Sequence, residues 1–320
     1  MPINTIAFKT EMTAELDKKM VQGAQVGMFA DNNLRGKFVG AKTVIIPTMG
    51  MSGMGDYDRD TGFARGGVSV SHKPFTLTMD RGVSFQIDAQ DADESGIPNL
   101  AGQVMGEFVR TKVVPEVDAY VLSKLAGLAT EKTQTVTGTL ASNVYKMITE
   151  AIAKAQNAIG YDEELVCFVD STALATLQNT PEISRYLVLN DFKKGELTTK
   201  VHYINGVPLL PVQDSRMKTA YIFYDGTADE FGFAPTDTAK SIGILLLPRR
   251  GASLVKKTDQ VSTFAPGENL NADAWKLDYR LYYDVVVKDS MVDGIYVHTY
   301  EDDTQGAATE EDDTQGADTD

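Results

Sequence analysis

The sequence predicts an α+β protein in which helices and strands gather in different parts of the chain. Three observations carry that expectation. Residues 98–127 hold one long amphipathic helix. Two long strands, within 75–88 and 274–287, alternate apolar and polar side chains. Between that helix and the second strand, shorter helices and strands mix as a separate α/β lobe.

Taken in order, the chain begins with a thinly apolar segment. Leu16, Met20 and Val21 fall at helical spacing within residues 10–29, and Gly23 and Gly27 weaken the helix they would make. So little apolar surface cannot form its own core, so the segment is expected on another surface, that of another subunit included. AKTVIIPT (41–48) predicts a strand of about six residues closed by Pro47. The next stretch, MGMSGMGDYDRDTGFARGGVS (49–69), is rich in glycine and charge, with methionines and Phe63 as its main apolar residues. A structureless loop of that length points to function or disorder.

The chain returns through PFTLTMDRGVSFQID (74–88). Phe75, Leu77, Met79, Val83, Phe85 and Ile87 take odd positions, broken only by Arg81; Thr76, Thr78, Asp80, Ser84, Gln86 and Asp88 take even ones. That pattern predicts one long half-buried strand. Strand, mobile tip and returning strand together read as an extended hairpin whose open edge invites pairing with another chain.

The long helix follows. Leu100, Val104, Phe108, Val117, Val121 and Leu125 recur near every fourth residue, with one wider step in the middle. Ser95 is placed to cap it, Pro98 suits its first turn, and Gly127 stands near its end. Such a helix would be about 45 Å long. Pro115 lacks a backbone donor, which frees the carbonyl of Thr111 and predicts a bend.

Residues 130–139 read as a polar linker. Val144, Ile148, Ile152, Ala155 and Ile159 predict a second helix, ended by Gly160. LVCFV (165–169) is a buried strand, and Asp170 or Ser171 caps a short helix after it. Asn205–Gly206, between the apolar runs of VHYINGVPLLPV, marks a hairpin. TAYIFYD and SIGILLLP are further strands. In the second long strand, Trp275, Leu277, Tyr279, Leu281, Tyr283 and Val285 share one face; Lys276, Asp278, Arg280, Tyr282 and Asp284 share the other. A turn at 292–294 leads to a last strand, IYVHTY.

Composition sets bounds. The 320 residues, 42% apolar and 23% charged, suffice for one large core or two modest ones. Cys167 is the only cysteine, so no intrachain disulfide forms, and its apolar run marks it as a small buried hydrophobe. No apolar run is long enough to span a membrane, and MPINTIAFKTEM does not read as a signal peptide. Nine acidic residues of the last twenty leave −6 of the net −15 on residues 1–300. The paired cations are scattered, so no basic stripe predicts specific nucleic-acid binding. EDDTQGA at 301–307 recurs at 311–317, a polar repeat that reads as disordered.

Catalytic patterns are not found. His72, His202 and His298 are far apart, without carboxylates or cysteines at metal-ligand spacing. Gly50–Gly55 lacks the Lys-Ser/Thr ending and following helix of a phosphate loop. Asp56, Asp58 and Asp60 begin a calcium loop, but Thr61 and Gly67 stand where glycine and glutamate are required; Asp91, Asp93 and Ser95 begin another that ends on Gly102. No G-x-S-x-G elbow occurs. No catalytic, cofactor-binding or metal-binding residue is therefore expected, and the protein is not expected to be an enzyme.

Five segments carry a resemblance: GAKTVIIPTM (40–49), DYDRDTGF (56–63), LTMDRGVSFQIDAQDADES (77–95), EFVRTKVVPEVDAYVLSKLA (107–126) and DAWKLDYRLYYDVVVKDSMVDGIYV (273–297). In order and spacing they resemble the major capsid proteins of tailed bacteriophages, of the kind found in Gram-positive hosts, with the Hong Kong 97-type (HK97-like) fold. The resemblance covers residues 1–300. It implies an N-terminal arm (1–34), an extended loop overlapping a neighbour (35–88), a peripheral domain with the spine helix (89–135) and an axial domain (136–239). A return to the peripheral sheet (240–291), a final axial strand (292–300) and the acidic tail (301–320) complete the scheme.

Its functional implications are an icosahedral shell of hexamers and pentamers around a double-stranded DNA genome, assembled in the bacterial host cytoplasm and located in the virion. Implied partners are further copies of the chain, a separate scaffolding protein, a portal, a decoration protein and non-specifically contacted DNA, with no membrane and no cofactor. An encapsulin-type nanocompartment shares the fold and is the nearest alternative; an enzyme of unknown class is the alternative of another kind. Two departures from the type member stand out. A long N-terminal scaffolding segment is not seen. Lys73, Asn269 and Asn271 lie near its cross-linking loops, but no glutamate matches its catalytic one.

Overall fold

The computed structural model describes residues 23–31, 37–39, 42–60, 62–90, 100–140, 144–179, 188–194, 197–227, 230–269 and 272–301. The expectations for Leu16, Met20, Val21, Ser95, Pro98, Asn271 and the acidic tail beyond Glu301 lie outside the described residues.

In chain order the elements are a 3-10 helix Gln25–Asp31, strands β1 (Lys37–Val39), β2 (Thr43–Met51), β3 (Val68–Thr76) and β4 (Met79–Asp88), helix α1 (Leu100–Phe108), a π-helical turn Val109–Val113, and helix α2 (Val114–Glu131). Then come β5 (Thr135–Thr137), α3 (Val144–Ile159), β6 (Leu165–Asp170), α4 (Ser171–Asn179), β7 (Val188–Lys194), β8 (Leu197–Ile204) and β9 (Val207–Val212). The rest are a 3-10 turn Asp214–Arg216, β10 (Tyr221–Phe223), β11 (Phe233–Pro235), β12 (Ser241–Pro248), β13 (Ala252–Phe264), β14 (Ala274–Val287), α5 (Asp289–Val292) and β15 (Tyr296–Tyr300). They form two compact units. One takes the described residues of Ala30–Met105 and Ser253–Val286; the other takes those of Lys18–Phe29, Gly106–Ala252 and Val287–Asp320.

The first unit holds two three-stranded sheets, β1–β2–β3 and β13–β14–β4. Residues 75–88 are not one strand. β3 pairs antiparallel with β2, whereas β4 pairs antiparallel with β14. The chain changes sheets at Leu77–Thr78, and polar groups fix the corner. The Leu77 N–H donates to the Lys42 carbonyl at 2.9 Å, and the Leu77 carbonyl accepts the Tyr282 hydroxyl at 3.1 Å. The Thr78 N–H and hydroxyl both donate to Asp284 Oδ2, at 3.1 and 3.0 Å. That is why Tyr282 and Asp284, expected on a polar face, are buried. Toward its other end β14 keeps the expected alternation, and Arg280 donates two hydrogen bonds to Asp80 on β4, at 2.9 and 2.7 Å. Val44, Leu77, Val255, Tyr282 and Val286 form the core beneath, with Ile46 and Phe75 packed against it.

Pro47 does not close β2, which runs on to Met51. Strand β1 reaches only as far as Ile45, so among the described residues that edge is open beyond it and a missing N–H costs the ladder nothing. Strand β13 was not expected, because Lys256, Lys257, Asp259 and Gln260 interrupt its apolar pattern.

The second unit holds a seven-stranded mixed sheet in the order β5-β15-β12-β6-β9-β8-β7 and a two-stranded one, β10-β11. Helices α3 and α4 join one core with it. Val144, Ile148, Ile152 and Leu177 meet Cys167, Val169, Leu209, Ile244 and Leu246 there. Phe168 alternates with Cys167 and Val169, and its ring lies edge-on to Phe29 at 6.0 Å. Expected terminators are in place. Gly160 has φ +96°, where a Cβ would be strained. Asp170 caps α4, its Oδ1 accepting the Ala173 N–H at 2.6 Å. Asn205 and Gly206 turn β8 into β9 with φ +50° and +82°. Residues 130–139 are more than a linker: α2 continues to Glu131, and β5 pairs parallel with β15.

The long helix changes type in its middle. The Val114 N–H reaches back to the Val109 carbonyl, five residues earlier, just before Pro115 removes a donor. Met105, Val109, Val113, Val117, Val121, Leu125 and Ala129 are buried, strictly every fourth residue. In a regular helix each such step overshoots a turn by about 40°. The extra residue of the π turn takes up part of that drift. Residues before it are therefore one position out of phase with the sequence reading: Val104 and Phe108, expected in the core, are half-buried.

Candidate assembly surface

The end of the N-terminal segment is fastened within the second unit of its own chain. Ala24, Val26, Met28 and Phe29 are buried. Asp118, wholly buried on α2, accepts the N–H groups of Gln25 and Val26 at 3.1 and 3.0 Å, satisfying donors that open the 3-10 helix. Arg216 Nη1 meets the same carboxylate at 3.0 Å. The expectation that residues 10–29 lie on another surface thus has an intrachain answer for residues 24–29.

The β2–β3 hairpin has two unlike faces. Its register sets Pro47 opposite His72, Met49 opposite Val70 and Met51 opposite Val68 on one face. Val44 opposite Phe75, Ile46 opposite Lys73, Thr48 opposite Ser71 and Gly50 opposite Ser69 occupy the other. The second face enters the core at its base and becomes polar toward the tip, where the Thr48 and Ser71 hydroxyls bond at 2.8 Å. Beyond His72 the first face is apolar and uncovered. Met49 is 66% exposed, Met51 72%, Val68 69% and Val70 57%. Directly opposed pairs of this kind form one continuous surface.

The tip is closed rather than structureless. The Ser52 N–H donates to the Gly67 carbonyl at 3.0 Å, and the Gly67 N–H donates to Ser52 Oγ at 2.9 Å. Asp58 and Gly62 exchange backbone bonds of 3.2 and 2.8 Å, and Tyr57 meets Phe63 edge-on at 5.0 Å. A Cβ on Gly55 would stand 2.6 Å from the Ala64 Cβ, so glycine is required where the two sides of the tip cross. Met54, Tyr57 and Phe63 are all exposed, extending the apolar surface of the strands.

The residues weighed for chemistry are not brought together. His72 lies on the hairpin opposite Pro47, and His202 contacts Gln178 at 3.3 Å. His298 is buried in the second unit beside a cleft of about 60 Å³ lined also by Gln134, Met147, Glu150 and Lys154. Among the described residues neither of its ring nitrogens has a hydrogen-bond partner, and burial holds its pKa below the ordinary histidine value. Cys167 is fully buried, which pushes its thiol pKa up. Among the described residues no three His, Cys, Asp or Glu side chains could jointly hold a metal ion, and no helix is long and apolar enough to cross a membrane.

No protein-family model and no curated protein matches this chain. Solved structures do. A structure from Microbacterium phage Oxtober96 is 16% identical over 87% of this chain and 91% of its own, with a TM-score of 0.59. The capsid structure of cyanophage P-SCSP1u is 14% identical over 83% and 86%, with a TM-score of 0.55. A virus-like particle from Pyrococcus furiosus is 9% identical over 91% and 99%, with a TM-score of 0.52. The chain has the Hong Kong 97-type capsid fold.

For a capsid fold the informative residues are those that meet other chains. Sequence reading singled out the methionines and Phe63 but missed Val68 and Val70, whose pairing with Met51 and Met49 depends on register. Asp118 was missed as well: a carboxylate among the apolar residues of a helix gives no hint of which backbone groups it will meet.

Proposed function

We propose that this protein is the major capsid protein of a tailed bacteriophage, a structural subunit that self-assembles into an icosahedral shell around double-stranded DNA. The observation that carries the reading is the likeness to the P-SCSP1u capsid over 83% of this chain and 86% of that one. The uncovered apolar face of the hairpin supports it, since a surface of this kind is what an assembling subunit would cover.

In this reading residues 1–34 are the arm, 35–88 the extended loop and 89–135 the peripheral domain with its spine helix. Residues 136–239 are the axial domain, 240–291 return to the peripheral sheet, 292–300 give the last axial strand, and 301–320 are the tail. Function is assembly, with no catalytic turnover. Each subunit offers modest complementary surfaces, repeated around hexamers and pentamers, and the hairpin straps a neighbour. Scaffold, portal and packaged DNA are the partners of such a shell, the virion its location and the host cytoplasm the place of assembly. The nine acidic residues of the tail support a position on the outside of a DNA-filled shell, away from packaged phosphate. A nanocompartment with the same fold would enclose a cargo protein instead of nucleic acid.

Deleting residues 50–66 tests the assembly role of the hairpin. The shortened chain is expected to stay soluble and folded and to form no closed shells. Normal shells from that variant would overturn the reading of the hairpin as a strap.

A further inference from the structure

Among the described methionines, those of the hairpin are the exposed ones. Met49 and Met51 are 66% and 72% exposed and Met54 fully so, whereas Met28, Met105 and Met217 are at most 4% exposed. An exposed thioether is open to peroxide; a buried one is shielded. Cys167 does not compete, because its thiol is buried and its raised pKa removes the thiolate that peroxide attacks. Among the described residues the hairpin is therefore the first place an oxidant finds sulfur.

We infer that Met49, Met51 and Met54 form an oxidation-sensitive latch: their conversion to sulfoxides in the free subunit blocks seating of the hairpin on a second copy of the chain. The oxidant is hydrogen peroxide. Its O–O bond breaks, one oxygen bonds to the thioether sulfur, the sulfur loses two electrons and the remaining oxygen leaves as water. The new S=O is a strong acceptor set into the apolar face. The side chains directly opposite Met49 and Met51 are Val70 and Val68, which offer it no donor. Covering that face strips water from the oxygen, and the directly opposed valines cannot replace it. Thioethers already covered by a neighbour in a finished shell are protected, so oxidation acts before assembly.

The inference rests on the assembly reading for its partner. The test uses the full-length purified chain, treated with graded hydrogen peroxide and mapped by peptide mass. Peptides carrying Met49, Met51 and Met54 are expected to gain oxygen before those carrying Met105 and Met217. The assembly threshold, read by light scattering, is expected to rise at least about tenfold as they do. A variant with Met49, Met51 and Met54 all changed to Leu should assemble and keep its threshold in peroxide. Oxidised subunits that assemble like untreated ones, or a Leu variant that loses assembly to peroxide equally, would overturn the latch. Met49→Asp with Met51→Asp separates the two ideas: normal shells from that variant overturn the docking reading, and with it the latch. Its failure alongside unimpaired assembly of oxidised wild type overturns the latch alone.

Discussion

Replacing Met49 and Met51 by serine should uncouple folding from assembly. Both side chains lie on the uncovered face of the hairpin, 66% and 72% exposed. Fully burying a methionine contributes about 1.5–3 kcal/mol, so covering the exposed two-thirds of each contributes about 1–2 kcal/mol, or about 2–4 kcal/mol for the pair. At about 1.4 kcal/mol per decade, that is a weakening of about 30- to 700-fold in each subunit contact that uses this face. Folding should barely change, by about 0.5 kcal/mol or less, because neither side chain is in a core. The assay is light scattering against protein concentration, with a circular dichroism melt on the same samples. The expected result is an unchanged melt and a threshold raised by at least tenfold. An unchanged threshold with an unchanged melt would mean that this face is not covered in the assembled state.

Three further outcomes follow from the structure. Asp118→Ala should destabilise the subunit by about 3–5 kcal/mol in urea unfolding, because it strands Arg216 and two backbone donors; Asp118→Asn, which keeps an acceptor, should cost less. His298 has a folded pKa below its ordinary 6.5, so the unfolded chain binds a proton first as pH falls. Stability is therefore unaffected well above that value and is lost as pH drops through it; His298→Phe should show a smaller fall in melting temperature between about pH 7.5 and about pH 5.5. A fall equal to wild type would assign acid sensitivity elsewhere. On the proposed function and the charge of the sequence, protease applied to intact, DNA-filled particles should remove the tail, residues 301–320, without releasing DNA; protection until the particles are broken would mean that the tail is inside or bound.

How much of this was legible in the sequence depended on how local each cause is. The end of α3 at Gly160 and the Asn205–Gly206 turn are set by one or two residues and were read directly, and the cap of α4 was narrowed to Asp170 or Ser171, of which Asp170 makes the bond. Strand β6 was legible because it is apolar from Leu165 to Val169 and buried on both faces. The break at Leu77–Thr78 was not, because period-two alternation runs through it unchanged. What ends the strand is the buried carboxylate of Asp284, more than two hundred residues away. The phase of the long helix was misread for a related reason: one extra residue in a π turn rotates everything before it. Strand β13 was hidden by its own charges, which its sheet position tolerates and its pattern does not announce. The uncovered face of the hairpin was half legible. Its methionines stood out in composition, but the valines that complete it became visible only with the register of β2 on β3.

Electron microscopy of the expressed chain tests the central claim most directly, with the nucleic-acid and protein content of the purified particles measured beside it. The account predicts closed icosahedral shells, which hold DNA when filled in the presence of a portal. Small oligomers alone, at concentrations where related shells close, would contradict it; shells that enclose a single protein cargo and no nucleic acid would move the protein to the nanocompartment reading.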